Sequence, residues 1–128
     1  PARNLDEQQA FVPDDDLAIY SRLIYVPASL PFAADLEVAK KYRNVISTAH
    51  CDAAIIITGR WGTLHEFCSL IDFGKVVGVL LNTGGIADEL PDLYARISPS
   101  GSAKVHFNDD PAALIEQIIA ALDDRPSS

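Results

Sequence analysis

Residues 58–67, TGRWGTLHEF, contain a glycine-bearing turn directly after an apolar run, and such a turn could bind an anion and act on it. Free backbone N–H groups at the start of a helix, together with the helix dipole, favour an anion such as phosphate. A second interpretation needs no ligand, because Thr63 and Glu66 have the T-x-x-E spacing of a capping box. Spacing alone leaves both interpretations open.

A second turn of the same kind, NTGG at 82–85, follows the next apolar run of the chain. In an open parallel α/β sheet, ligands bind beyond the carboxyl ends of the strands, where the chain turns into the helices. Both turns therefore qualify as anion sites, provided that a strand precedes each of them and a helix follows.

The hydrophobic pattern predicts strands that alternate with helices. The runs at 52–58 and 75–82 are apolar without alternation, which is typical of strands that are covered on both faces in a parallel sheet. We therefore expect an α/β fold, a doubly wound parallel sheet with helices on both faces. The predicted strands are 20–27, 52–58, 75–82 and 103–108, and the predicted helices are 31–49, 63–74, 84–98 and 110–122.

The length of 128 residues predicts one domain over residues 1–128, with flexible ends at 1–18 and 123–128. The first end is polar and acidic, and we expect a loop or mobile arm there. Gly74 is expected to end one helix, and Asp109 or Asp110 is expected to cap the last one.

Charge and composition exclude several classes of partner. The net charge of −8 argues against nucleic acid, because phosphate neutralisation requires clustered Lys and Arg. No apolar stretch approaches the ~18 residues that span a bilayer, and no signal peptide opens the chain, so no membrane partner is expected. Two cysteines are too few for a disulfide framework, which favours a cytoplasmic location. Since the chain has no methionine, either an initiator was removed or the chain is a piece of a longer polypeptide.

A few side chains suggest other chemistry. The candidate zinc ligands are His50, Cys51, His65 and Cys68. Their spacing matches no standard ligand pattern, and we expect no metal and no cofactor. Cys68 is expected in the core, and His106 on an edge or a face of its strand. Trp61 could stack on a base at the mouth of a ligand site or fill a dimer interface.

Four segments appear in the order and spacing of the LOG family, once called lysine-decarboxylase-like, which belongs to the SLOG superfamily of Rossmann-like nucleotide-binding proteins. They are RNVI at 43–46, DAAIII at 52–57, GTLHE at 62–66 and GKVVGVL at 74–80. The NTGG turn and the final DP helix also fit the family. The chain therefore resembles the LOG family over residues 20–122.

The resemblance implies an enzyme that hydrolyses the N-glycosidic bond of nucleoside 5′-monophosphates, such as AMP or cytokinin nucleotides, into base and ribose 5-phosphate. It implies Glu66 as the catalytic carboxylate and Arg43 as its cationic partner near the ribose or phosphate. A carboxylate suits this reaction, because it can stabilise or attack an oxocarbenium-like state. The resemblance implies that Gly62 and Thr63 hold the phosphate and that Asn44 and Gly59 also contribute to the substrate site. Arg60 stands where the family has glycine, and it could either reach the phosphate itself or obstruct the pocket. The resemblance also implies a homodimer.

The chain departs from the family pattern in two places. The family has P-G-G where this chain has Thr58, Gly59 and Arg60. The family also begins with further strand–helix steps, including a glycine-rich loop that forms the other wall of the nucleotide site, so the chain is expected to correspond to the C-terminal half of a LOG protein. Both departures keep open a second function, a non-catalytic SLOG module that binds or senses a nucleotide.

Overall fold

The computed structural model describes residues 1–97 and 101–126, and the chain divides into two compact units, Pro1–Ile46 and Ser47–Ser128. The first unit contains helix α1, Leu5–Phe11, and a 3₁₀ turn, Leu17–Ile19. Helix α2 spans Leu36–His50. The second unit continues with β1 Ala53–Ile57, α3 Trp61–Asp72, β2 Val76–Leu80, α4 Gly85–Arg96, β3 Lys104–Asn108 and α5 Pro111–Asp123.

The three strands form a parallel sheet in the order β1-β2-β3. Strand β2 lies in the centre, and its Val76, Val77 and Val79 are at most 1% exposed. Helices α3 and α4 pack on one face of the sheet, and α5 packs on the other face over β2 and β3. The predicted α/β class, with a parallel sheet covered by helices on both faces, is confirmed.

The core consists of one apolar cluster on each face of the sheet. The α3 and α4 side is formed by Ile56, Phe67, Leu70, Val77, Val79, Ala87 and Leu90. The α5 side is formed by Val76, Leu114, Ile118 and Ala121. Gly78 of β2 allows α5 to approach closely, because a Cβ at this residue would lie 2.4 Å from Cδ1 of Ile118.

Strand β1 does not lie inside the sheet as its apolar run predicted. It is an edge strand among the described residues, and only one of its faces is covered. Ile56 is 5% exposed, whereas Ile55 and Ile57 are 45% and 55% exposed. The expectation of a strand covered on both faces is therefore correct for β2 and wrong for β1.

Two predictions for the first unit are wrong. Residues 20–27 form no strand. The N–H of Val26 donates to the carbonyl of Ala2 at 3.2 Å, but no neighbouring strand pairs with this stretch among the described residues. Extended, β-branched residues become a strand only when a neighbouring strand completes their backbone hydrogen bonds. Residues 1–18 are not simply a loop, because α1 forms there with Asn4 as its cap.

The ends of the later helices agree with the sequence. Gly74 adopts a φ of 69° after α3, and the N–H groups of Gly74 and Lys75 donate to the carbonyls of Ile71 and Leu70, the pattern of a Schellman motif. Asp110 caps α5 by accepting from the N–H of Ala112 at 3.0 Å. Ser98, the last residue of the predicted 84–98 helix, and Ser127 and Ser128 of the predicted tail lie outside the described residues. Within the described ranges, no helix has both the length and the apolar character to span a membrane.

Candidate functional site

The turn between β1 and α3 has a shape that depends on Gly59. Thr58 and Gly59 both have positive φ angles, 49° and 99°, so the chain reverses within two residues. A Cβ at Gly59 would lie 2.4 Å from Oγ1 of Thr63, which leaves no room for a side chain. Glycine is therefore required here by conformation and by space.

The two departures from the family turn fit this shape. A proline in place of Thr58 could not adopt a φ of 49°, because its ring holds φ at about −65°. Arg60 has a φ of −130°, which any residue can adopt, so glycine is not needed there. The Thr-Gly-Arg sequence is thus compatible with this turn, whereas a proline at residue 58 is not.

Helix α3 begins without a side-chain cap. Its N-cap is Arg60, which makes no capping hydrogen bond, and Thr63 is the third helical residue. The capping box predicted as an alternative is therefore not formed, because the helix starts before Thr63. Within the described part of the second unit, the N–H groups of Trp61, Gly62 and Thr63 have no acceptor. These N–H groups are available to a ligand.

The second glycine turn, in contrast, is occupied by the chain itself. The Asp88 carboxylate accepts from the N–H of Asn82 at 2.7 Å and from that of Gly84 at 2.9 Å. The N–H groups of Ile86 and Ala87 donate to the carbonyls of Gly59 and Thr58. The NTGG turn, which qualified as an anion site by sequence, therefore has its own carboxylate in the position of an anion.

This arrangement predicts that Asp88 stabilises the fold. Replacing Asp88 by Ala leaves two turn N–H groups without their charged acceptor, and we expect the free energy of unfolding to fall by about 1–3 kcal/mol. Urea denaturation followed by circular dichroism measures the change. Asp92→Ala, one turn further along α4, is the matched control, because its exposed carboxylate has no partner among the described residues. Equal stability of both variants would contradict the role assigned to Asp88.

Glu66 and Thr63 face a cavity of about 410 Å³ at the edge of the sheet. The cavity runs along β1, and its walls come from the end of α2 and from α3. Its lining residues are Ser47, Thr48, Cys51, Ala54, Ile55, Ile56, Ile57, Thr63, Glu66 and Leu70. Glu66 is half-buried, and its carboxylate makes no hydrogen bond or ion pair with the described residues of the second unit. In the part of this unit that the structure describes, the start of α3 thus combines N–H groups without acceptors and a carboxylate without a partner. This is the combination expected for an anion site with a catalytic carboxylate.

Gly59 and Arg60 face the other flank of the α3 start. They line a smaller, largely apolar cavity of about 260 Å³, together with Trp61, Ile86 and Glu89. Trp61 is 79% exposed, which suits either stacking on a ligand or a contact with another protein. The expected site residues of the second unit are thus distributed on two sides of one helix end.

Arg43 and Asn44 lie on α2 in the first unit. Asn44 is 3% exposed, and its Oδ1 accepts from a guanidinium nitrogen of Arg43 at 3.5 Å. Arg43 lines a cavity of about 400 Å³ within its own unit. The expected pairing of Arg43 with Glu66 stays a prediction.

The remaining candidate residues are the cysteine of α3, the histidine of β3 and the candidate metal ligands. Cys68 is exposed on α3 and does not belong to the core, because the buried stripe of this helix runs through Phe67 and Leu70. Among the described residues, His106 lies on β3, an edge strand, and its buried Nε2 has no hydrogen-bond partner there. In the described ranges, no three His, Cys, Asp or Glu side chains form a group that could hold a metal ion.

Sequence reasoning missed Asp88, which accepts from two N–H groups of the second glycine turn, and Thr83, which joins the two turns. Oγ1 of Thr83 accepts from the N–H of Thr58 at 2.9 Å and donates to the carbonyl of Leu80 at 2.8 Å. A signal for Asp88 was present, since an acidic residue in the first turn of a helix favours its N-terminus. No sequence signal for the Thr83 contact exists, because its partner is 25 residues away.

Comparison with known proteins gives one family and one structure. The model of the SLOG cluster4 family matches residues 26–115. The X-ray structure of TM1055, a Northeast Structural Genomics Consortium target, is similar with a TM-score of 0.55 and 23% sequence identity. The similarity covers 64% of this chain and 49% of that chain, so the chain spans about half the length of this structural relative. Comparison with curated proteins finds no match.

Proposed function

The chain belongs to the SLOG cluster4 family, and from this membership, which indicates a nucleotide-related function, we propose that it binds a nucleoside 5′-monophosphate and hydrolyses the N-glycosidic bond. The products are the free base and ribose 5-phosphate. The observation that carries the proposal is the uncapped start of α3 beside the half-buried carboxylate of Glu66. Neither a metal nor another cofactor is part of the proposal.

The phosphate is assigned to the start of α3. The N–H groups of Trp61, Gly62 and Thr63 point out of the helix end, where the dipole gives partial positive charge. A Cβ at Gly62 would meet nothing within 4 Å, so the space next to these N–H groups is open to a ligand. The difference between the two turns supports this choice, because the turn before α4 already contains the Asp88 carboxylate.

The sugar is assigned to the cavity that Thr63 and Glu66 share. These residues are three apart on α3 and therefore lie on the same side of the helix. With phosphate on the helix N–H groups, the ribose of the same nucleotide extends along this side towards Glu66. The carboxylate then stabilises, or attacks, the positive charge that develops at the sugar as the base leaves. Arg43 and Asn44 are included in the proposal as further ribose- and phosphate-binding residues on the resemblance to the LOG family alone.

Replacing Gly62 by Ala should weaken the affinity for AMP at least tenfold without destabilising the protein. The added methyl group meets no atom of the chain within 4 Å, but it occupies space that the phosphate needs. Isothermal titration calorimetry with AMP measures the affinity. Gly84→Ala adds the same methyl group in open space at the other turn, whose N–H group is already bonded to Asp88, and AMP affinity should be unchanged. Unchanged affinity in Gly62→Ala would remove the phosphate from this turn.

Replacing Arg43 by Ala should weaken AMP binding by about 1.5–3 kcal/mol, the range for a hydrogen bond to a charged group. The same titration measures the change. Lys41→Ala removes another exposed positive charge from the same helix and serves as the control for general electrostatic attraction. An equal loss in both variants would show that Arg43 has no specific contact with the nucleotide.

A non-catalytic nucleotide sensor is the second candidate. The Glu66 cavity lies at the open edge of β1, so it does not exclude water. A cavity of this kind favours nucleotide binding without catalysis, because a closed catalytic site expels water. Titration with AMP, combined with an assay for released ribose 5-phosphate, separates the two functions. Binding with release supports the hydrolase, and binding without release supports the sensor. Absence of binding would overturn both.

The proposal includes a homodimer in the cytoplasm. The exposed Trp61 at the start of α3 supports an interface close to the nucleotide, as expected for a protein of the LOG type. Light scattering at micromolar concentration measures the mass, and a monomer would overturn the dimer while leaving the nucleotide site untouched.

A further inference from the structure

The hydroxyl group of Thr83 lies between the ends of β1 and β2. Its oxygen accepts from the N–H of Thr58 at 2.9 Å, and its proton is donated to the carbonyl of Leu80 at 2.8 Å. Leu80 is the last residue of β2 and pairs with Ile57, the last residue of β1. The hydroxyl therefore extends the contact between the two strands by one residue, because a side-chain oxygen accepts where the ladder of backbone bonds has ended.

Thr58 has a backbone conformation that needs support from its neighbours. Its φ of 49° lies in the left-handed region, which β-branched residues rarely adopt. Such a conformation persists only where the surrounding structure holds it. The N–H of Thr58 is bonded to Thr83, and its carbonyl accepts from the N–H of Ala87 at 3.2 Å, so both peptide planes that flank its Cα are fixed. Loss of the Thr83 hydroxyl frees the first plane, and Thr58 can then relax towards a negative φ.

The direction of α3 depends on this one residue. The carbonyl of Gly59 accepts from the N–H of Ile86 at 2.8 Å, and Arg60 is already the N-cap of the helix. The N–H groups available to a ligand begin at Trp61, three residues after Thr58. A rotation about the Thr58 backbone changes the angle at which the chain enters α3, and it therefore changes where these N–H groups point.

We propose that Thr83 is a positioning residue of the nucleotide site. By fixing Thr58 in its left-handed conformation, it keeps the N–H groups at the start of α3 directed at the phosphate. The hydroxyl is engaged with two backbone groups, so Thr83 acts through Thr58 and not on the ligand. The ligand part of this proposal rests on the proposed function, whereas the coupling between Thr83 and the start of α3 does not.

Replacing Thr83 by Val should weaken the affinity for AMP about three- to tenfold, the range that the net contribution of one hydrogen bond converts to. Val has the same branched shape, but it can neither accept from Thr58 nor donate to Leu80. The turn that is competent to bind is then less populated, and the apparent affinity falls by that fraction. Isothermal titration calorimetry measures the affinity at a temperature where circular dichroism shows a folded variant. Thr83→Ser keeps the hydroxyl and should restore the affinity to within about twofold of wild type.

Trp61, the only tryptophan of the chain, reports on the start of α3 without any ligand. It is the first residue of this helix and is 79% exposed. Time-resolved anisotropy of its fluorescence should show a larger fast component in Thr83→Val than in wild type, and Thr83→Ser should return to the wild-type decay. If Thr83 only stabilised the fold, the free energy of unfolding would fall while the decay of the folded protein stayed the same.

Ser69→Ala is the matched control. The Ser69 hydroxyl donates to the carbonyl of His65 at 3.0 Å, so this variant also removes a hydroxyl-to-carbonyl bond, on α3 itself but about two turns beyond its start. Affinity and anisotropy should both stay at wild-type values. A wild-type affinity or a wild-type decay in Thr83→Val would overturn the proposal, and so would an equal effect of Ser69→Ala. If wild type does not bind AMP, the proposed function and the ligand part fail together, and the anisotropy alone decides whether Thr83 fixes the start of α3.

If Thr83→Val does not fold, hydrogen exchange of the wild-type protein provides the test. Coupling is reciprocal, so AMP must strengthen the bond between Thr58 and Thr83 by the factor with which this bond strengthens AMP binding. Saturation with AMP should therefore slow exchange of the Thr58 N–H about three- to tenfold, as measured by NMR. The N–H of Ala112, which donates to Asp110 at 3.0 Å, is the control and should exchange at the same rate with and without AMP. Equal exchange of the Thr58 N–H in both conditions would overturn the proposal.

Discussion

Replacing Glu66 by Gln should lower the rate of ribose 5-phosphate release from AMP by about 10²–10⁴-fold while AMP affinity stays nearly unchanged. Glutamine keeps the shape and polarity of the side chain but cannot carry the negative charge that stabilises, or the nucleophilic oxygen that attacks, the oxocarbenium-like state. Structural disturbance is expected to be small, since the Glu66 carboxylate makes no hydrogen bond or ion pair with the described residues of the second unit.

Single-turnover release of ribose 5-phosphate and calorimetric titration of AMP measure the two quantities separately. Glu116→Gln, the same change at an exposed position of α5, is the control and should leave both unchanged. If Glu66→Gln released ribose 5-phosphate at the wild-type rate, Glu66 would not be the catalytic carboxylate. If binding fell as much as the rate, Glu66 would be a binding residue.

Replacing Gly85 by Ala should lower the free energy of unfolding by about 2–5 kcal/mol, the sum of the cost of a left-handed conformation and of a forced displacement in a packed region. Gly85 has a φ of 59°, and its Cβ would lie 2.4 Å from the carbonyl oxygen of Gly59. A backbone oxygen cannot move aside as a flexible side chain can. The two glycine turns would have to separate, and the hydrogen bonds from Ile86 and Ala87 to Gly59 and Thr58 would lengthen.

Gly84→Ala is the neighbouring control. Gly84 also has a positive φ, 82°, but a Cβ there would meet nothing within 4 Å, so only the conformational cost of about 1–2 kcal/mol applies. Urea denaturation of both variants gives the difference. A loss in Gly85→Ala no larger than that in Gly84→Ala would mean that contact between the two turns does not contribute to stability.

The features that the sequence determined by itself depend on residues close together in the chain. The apolar runs predicted β1 and β2, and their alternation with helical patterns predicted the parallel α/β sheet. Gly74 ends α3 and Asp110 caps α5, because a left-handed residue and a capping side chain act on N–H and carbonyl groups a few residues away. The ordered motifs also led to the SLOG superfamily, to which the matched family belongs.

The tertiary structure alone decided which of these local features are paired, covered or occupied. Residues 20–27 have a strand-like composition but form no strand, and β1 has the composition of a central strand but lies at an edge. The two glycine turns look equivalent in sequence, yet one contains Asp88 and the other has N–H groups open to a ligand. Composition describes what a segment can form, whereas pairing, burial and the occupation of a turn depend on groups that only folding brings next to it.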